Sequence, residues 1–324
     1  MMGALCLYVL MGGADFGGGV WDLLSFGPRR KEQREFIASV IGPIWEANHV
    51  WLILTVVVLF SAFPKAFAAI SIALHVPLTL FLIGVVFRGS AFTFRAYDAH
   101  DDRHQRRWGL VFSLASLISP ILLGMIVGAI ASGRIRTTGG VVVSGFFSPW
   151  LHPFSVVVGL FALSLFAFLA ATYLAREASA RHAALAEDFR ARALVSGGAV
   201  GVCALLAFGL SFESAPLIRH GLTDHPFTWP LHAATATAAT TAFWALYRRR
   251  FFLAQVAAGA QAALILLGWA ASQYPYLVVP DVTLSGAAAN PHTQRLFLVA
   301  LAVGSVVLFP SLILLFRIFR RSRG

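Results

Sequence analysis

"GLVFSLASLISPILLGMIVGAIASG", residues 109 to 133, holds no charged side chain. A hydrocarbon core takes about 20 consecutive apolar residues to cross as a helix, and this run exceeds that length. Working outward, similar runs recur at Ala66 to Phe87 before it, and at Ala193 to Phe212, Pro226 to Tyr247, Phe251 to Pro280 and Leu296 to Phe316 after it. Composition agrees. Of 324 residues, 58% are hydrophobic and only 12% charged, with a mean hydropathy of +0.78; soluble domains carry roughly a quarter charged residues. The chain reads as an all-α polytopic membrane protein.

Nine spans are expected, at roughly 1–24, 48–64, 66–92, 109–131, 153–175, 193–212, 229–247, 251–273 and 294–317, forming a single membrane domain over 1–324. The first is the least regular, because Gly12, Gly13, Gly17, Gly18 and Gly19 interrupt it. It also opens on Met1 itself, so a start several residues upstream is an open alternative. No cleavable leader is expected, since the N-terminus lacks a basic region and a small-residue cleavage site. The stretch "TTGGVVVSGFFSP", residues 137–149, has the Gly, Thr and Pro of a loop.

Charge writes the orientation. The net charge is +11, but the basic residues sit in short clusters between spans rather than in one nucleic-acid-binding face. Nine alternating spans put nineteen Lys and Arg on one side, around Arg29–Arg34, Arg95–Arg107, Arg176–Arg192, Arg248–Arg250 and the C-terminal tail. The other side has five: Lys65, Arg134, Arg136, Arg219 and Arg295. That asymmetry places the N-terminus outside and the C-terminus in the cytoplasm. Cys6 and Cys203 both fall in apolar segments, which argues against a disulfide framework or a cysteine metal site.

Ionisable residues inside such a chain are the candidates for chemistry, because they are costly to keep in a bilayer. "IGPIWEANHVWLIL", residues 41–54, sets Glu46, Asn48 and His49 between Trp45 and Trp51 at a span mouth. A carboxyl in apolar surroundings is suited to proton transfer near neutral pH, and an adjacent His adds a second titrating group. The plain alternative is that Glu46 pairs with Arg88. Asp15 poses the same choice, with a helix-end ion pair favoured. Arg88 and Arg95 flank "RGSAFTFR" and read first as interfacial anchors whose side chains snorkel, the alternative being salt bridges that fix buried carboxylates or contacts with an anionic cofactor edge on a partner. Glu213 and Asp281 read as solvated. The "GGADFGGG" stretch, residues 12–19, lacks the strand and helix start of a nucleotide loop, and close helix packing is the better reading. Histidine is the common axial ligand of membrane haem. His75 lies mid-span, His49, His152 and His232 lie near span ends, and no spacing forces two of them to face each other.

Six stretches in order resemble subunit II of the cytochrome bd-type quinol oxidases. "MGGADFGGG" is similar to that family's LDGFDLGVG, and "IGPIWEANHVW" to its PVWDGNETW signature. "FSAFPKAFA", holding Pro64, and "FRGSAFTFR", holding Arg88 and Arg95, resemble its next two motifs. "SPWLHPFSVVVGL" with "ATYLARE", the "QYPYLVVPDVTLSGAAANPHTQRLFLVA" region with Pro275, and "LFPSLILLFRIFR" complete the series. The resemblance implies two four-helix bundles plus one peripheral helix, in the cytoplasmic membrane of a bacterium. It implies a partner, the haem-bearing subunit I, holding haems b and d or b only, with none held by this chain alone. Quinol would be the substrate of the complex. A small accessory transmembrane subunit and a bound quinone or lipid belong to the same expectation. A proton path would use Glu46, joined by Asn48, His49 and Asp15, while Trp45, Trp51, Pro64, Arg88, Arg95 and Pro275 are motif positions. The sequence also departs from the pattern. Glu46 replaces Asp, Ala47 replaces Gly, His49 replaces Glu, Val50 replaces Thr, and Gly12 replaces the first Asp of LDGFD. These changes mark a divergent branch. A stand-alone proton- or cation-coupled transporter and a purely structural scaffold are the competing classes; the first is disfavoured by the lack of an evident inverted repeat or of broken helices carrying midplane charge.

Overall fold

The computed structural model describes residues 1–41, 45–97, 102–226 and 228–321. The side chains of 45–47, 95–97, 102–106 and 315–321 lie outside that description, and with them those of Trp45, Glu46 and Arg95.

Thirteen helices and two small hairpins make up the described chain. In order they are α1 (Met2–Leu23), α2 (Arg30–Ile41), α3 (Trp45–Ala62), α4 (Pro64–Ala73), α5 (His75–Tyr97) and α6 (Asp102–Ala131). The hairpin β1 (Thr137–Thr138) and β2 (Val141–Val142) precedes α7 (Pro153–Ser179), α8 (Ala183–Ser214), α9 (Pro216–Thr223), α10 (Thr228–Tyr247) and α11 (Phe251–Gln273). The hairpin β3 (Tyr276–Val278) and β4 (Val282–Thr283), the short α12 (Leu284–Ala287) and α13 (Pro291–Arg321) complete it. Four of these helices, α4, α7, α9 and α13, open on a proline. The missing N–H of proline leaves nothing unsatisfied there, and its fixed φ suits a first turn.

Seven helices are long and apolar enough to cross a membrane: α1, α5, α6, α7, α8, α11 and α13. The protein is therefore a multi-pass membrane protein. The pair α3 and α4 adds an eighth span if it counts as one, and it bends by 117° at Phe63. The expected span at 66–92 is thus corrected: residues 64–73 form α4, and the spanning helix starts at His75. Pro77 accounts for the restart, since it has no N–H to bond the carbonyl of Ala73 but is tolerated in the first turn of a new helix. His75 consequently caps a junction instead of lying mid-span; its ring is exposed and its Nδ1 is 3.0 Å from the Ile72 carbonyl oxygen. The helix α10, rich in alanine and carrying five threonines, is not among the seven.

Helix α1 is the centre of the packing, in contact with α3, α6, α7 and α11. Glycine makes this possible. A Cβ at Gly17 would sit 2.0 Å from the Phe166 carbonyl oxygen on α7, and one at Gly19 2.2 Å from Ser116 Oγ on α6. Next to them Phe16 is fully buried and stacks with Phe166, ring centroids 6.2 Å apart. The glycine-rich stretch is a packing device, as its context suggested. By contrast α13 lies outermost; the apolar stretch by which it could cross a membrane has no buried residue, and it touches α3, where Phe309 meets the buried Trp51 at 6.3 Å.

At one end of the molecule the two hairpins are tied together. Asp281 accepts from Arg136 Nε at 3.0 Å and from the Thr137 backbone N–H at 2.7 Å. Asp281 is therefore engaged rather than solvated, whereas Glu213 is exposed as expected.

Candidate functional site

The polar residues of α1, α3, α5 and α6 converge inside the helices. Asp15 on α1 is 3% exposed, Asn48 on α3 and Arg88 on α5 1% each, and Ser116 on α6 is fully buried. Asn48 donates its amide Nδ2–H to the Asp15 carboxylate in a short hydrogen bond, and reaches the Met11 carbonyl at 3.5 Å. An amide donor of this kind satisfies a buried carboxylate without adding charge. Arg88 donates from Nε to Ser116 Oγ at 3.1 Å, and Ser116 in turn donates to the Phe112 carbonyl at 2.7 Å. The guanidinium lies between two rings, 4.8 Å from the centroid of Phe16 and 5.1 Å from that of Phe112. Aromatic faces of this sort hold a desolvated cation in place. Arg88, Asp15 and Tyr8 lie close enough to interact electrostatically.

These positions revise two sequence readings. Arg88 does not snorkel to an interface; it is interior, and its charge acts on the buried Asp15. Asp15 makes no helix-end ion pair. That pair belongs to Asp22, in the last turn of α1, which accepts from Arg34 Nε and Nη2 at 3.1 and 3.0 Å and from Ser113 Oγ at 3.0 Å. His49 follows Asn48 on α3 and packs its ring between Tyr8, at 6.1 Å, and Phe16, at 5.9 Å. Phe16 thus touches both His49 and Arg88. Glu46 lies in the first turn of α3, a turn before His49, and its side chain is outside the described residues.

Sequence reasoning missed Tyr8, Ser113, Ser116 and Ser119. Tyr8 and Asp15 are seven residues apart on α1, and the serines of "SLASLIS" recur every third residue on α6, so both sets share a helix face. That periodicity was the available signal. Several buried polar atoms of the cluster have no hydrogen-bond partner among the described residues: Tyr8 Oη, Asn48 Oδ1, Arg88 Nη2 and Ser119 Oγ. Among the described residues no three His, Cys, Asp or Glu converge as metal ligands would. His152 stands 2.7 Å from Arg134 Nη2, and burial followed by the Arg134 charge holds it below the usual histidine range.

A second polar group closes the other side of α1. Arg29 forms a two-pronged bond to Asp188 on α8, at 2.9 and 2.5 Å. Gln33 on α2 donates to the same carboxylate at 2.9 Å and accepts from Arg192 Nη2 at 2.6 Å. Nothing in the sequence paired these residues, which are more than 150 positions apart.

Fold and cluster together define a polytopic membrane protein that keeps ionisable chemistry inside its helices. Within that class the chain belongs to the cytochrome bd terminal oxidase subunit II family, whose pattern matches residues 1–319. It is 24% identical to the putative cytochrome bd menaquinol oxidase subunit II of Bacillus subtilis, over 99% of this chain and 94% of that one. It is 27% identical to the cytochrome bd-I ubiquinol oxidase subunit 2 of Escherichia coli, over 54% of this chain and 46% of that one. The solved bd oxidase from Geobacillus thermodenitrificans has a chain of the same fold, with TM-score 0.80, 24% identity, and coverage of 98% and 96% of the two chains. The chain is a transmembrane subunit of the terminal-oxidase type.

Proposed function

We propose that this chain is the haem-free second subunit of a quinol:oxygen oxidase in a bacterial cytoplasmic membrane, assembled with a haem-bearing subunit I. In this reading it spans the membrane nine times as two four-helix bundles and a peripheral helix, N-terminus outside. The outermost position of α13 supports the peripheral helix. Reduction of oxygen to water consumes protons as well as electrons, and the chain supplies a route for them through Glu46, Asn48, His49 and Asp15.

The observation that carries the reading is the buried Asp15–Asn48 pair facing Arg88. Its members come from three helices, α1, α3 and α5, and an acid and a cation inside a bilayer are retained chiefly where they serve transfer or assembly. Glu46 stands at the mouth of α3, Asn48 and His49 one turn further in, and Asp15 opposite Asn48. Arg88 holds the Asp15 carboxylate in the interior and offsets its charge. A stand-alone transporter has one observation in its favour, the 117° break between α3 and α4. That break carries only the exposed Lys65, and no ionisable group is buried at it.

The test is Glu46→Gln in the assembled complex, scored by oxygen consumption and by the reduced-minus-oxidised optical spectrum. Loss of a positioned proton-transfer group costs roughly 100-fold or more in rate. Turnover should fall on that order while the haem bands and subunit ratio remain those of wild type. Unchanged turnover would remove Glu46 from the path, and loss of the haem bands would assign it to assembly.

A further inference from the structure

Where α1 ends and the apolar part of α8 begins, the surface opens into a groove of about 480 Å³. Trp21, Phe26 and Val195 form apolar walls, and Arg29, Asp188 and Arg192 supply its charge. With two guanidinium groups against one carboxylate, the groove is left with one net positive charge. Arg192 is only 6% exposed, and its guanidinium sits 5.3–5.6 Å from the ring centroids of Trp21, Phe26 and Phe189. Its Nη2 is engaged by Gln33, while Nη1 is buried with no hydrogen-bond partner among the described residues. A buried guanidinium with an unused N–H is an incomplete anion site, since that group fits phosphate oxygens in a two-pronged fashion.

What lies beyond the groove selects the kind of anion. From Val195, an exposed apolar stripe continues along α8 through Gly198, Val202 and Leu206. A Cβ at Gly198 would meet no atom within 4 Å, so this face is shallow and open for its length. An inorganic anion has no use for such a stripe; an acyl chain does. The groove also stands where the polar first turns of α8 give way to its apolar run, the depth at which headgroups and aromatic belts meet.

We propose that this groove binds one acidic phospholipid, with the phosphate against Arg192 and Arg29 and an acyl chain along the Val195–Gly198–Val202 face of α8. The site is separate from the Asp15–Asn48–Arg88 cluster and does not depend on the proton path.

The experiment is native mass spectrometry of the intact detergent-extracted complex. It is titrated with phosphatidylglycerol, with phosphatidylcholine of the same chains, and with inorganic phosphate as competitor. One phosphatidylglycerol per complex should be retained under activation that strips phosphatidylcholine, and inorganic phosphate should not displace it. Val195→Trp fills the groove while leaving Arg192, Gln33 and Asp188 in place; it and Arg29→Gln should each lower the bound-to-free ratio about tenfold, the scale of one lost charge-assisted contact. Equal retention of the two lipids, or wild-type retention in Val195→Trp, would overturn the proposal. Displacement by inorganic phosphate would reduce the groove to a free-anion site. A disulfide or crosslink from Val195→Cys to another polypeptide of the complex would show that protein, not lipid, covers it.

Discussion

At the scale of single residues, the sequence pointed to the right segments but assigned some of the wrong partners. Asn48 and Asp15 were visible as polar groups in apolar runs, because such groups stand out wherever a bilayer penalises them. Their mutual hydrogen bond was not, since 33 positions and the whole of α2 separate them. Arg88 illustrates the harder case. A basic residue near the end of an apolar run reads as an anchor, and only the packing of Phe16 and Phe112 around it shows that it is interior. If Arg88 offsets the charge of Asp15, removing either partner alone exposes the other. Arg88→Met should lower the stability of the extracted complex by about 3–5 kcal/mol, the usual cost of leaving a buried charge unpaired. Adding Asp15→Asn should recover most of that loss, because the double variant buries no charge. Thermal midpoints of wild type, the two single variants and the double variant would test this. Strict additivity of the two single effects would mean that the pair does not interact.

At the scale of elements, long apolar runs fall within the helices of the fold, while several helix starts lie elsewhere: α5 at His75 instead of 66, α6 at Asp102 instead of 109 and α8 at Ala183 instead of 193. Helices α7, α10 and α11 begin within a residue or so of the expected starts at 153, 229 and 251, because a proline, a loop or a basic cluster marks each start. The boundary near residue 66 failed for a physical reason: α4 and α5 are equally apolar, so hydropathy is blind to the break at Leu74 that Pro77 imposes. Amphipathic α2 was likewise hidden in a basic loop, its buried face reduced to Gln33, Ile37, Val40 and Ile41. The glycines of α1 were legible as packing residues, though not their counterparts on α6 and α7. Their energetic weight is testable. Gly17→Ala places a methyl group against backbone, the Phe166 carbonyl, which cannot rotate away, and should cost about 1–3 kcal/mol. Gly209→Ala on the open face of α8 meets nothing within 4 Å and should be neutral or slightly stabilising, as alanine is the better helix former. Equal midpoints for the two variants would refute close packing as the role of the α1 glycines.

At the scale of the whole molecule, the charge count carries an orientation that helix geometry by itself does not. Arg29, Arg34, Arg176, Arg192 and Arg248–Arg250 belong to the basic set between alternate spans, and the two hairpins bridged by Asp281 lie with the sparse set that includes Arg134 and Arg136. If α3 and α4 cross as one bent span and α10 crosses despite its threonines, the seven apolar helices become nine, and an odd number sends the two ends to opposite sides. The nineteen-to-five asymmetry then sets the C-terminus in the cytoplasm. Two reporters decide the matter. A green fluorescent protein fused after Gly324 should fluoresce, and alkaline phosphatase inserted after Thr138, within the β1–β2 hairpin, should be active. The competing count of eight spans, with α10 lying outside the bilayer, would part the β3–β4 hairpin from β1–β2 against the Arg136–Asp281 bridge, and it would move the C-terminus across, which the fluorescence reads. A dark C-terminal fusion in an assembled, active complex would therefore remove α10 from the membrane. It would also leave the Arg248–Arg250 cluster on the outer side, against the bias that governs every other basic loop.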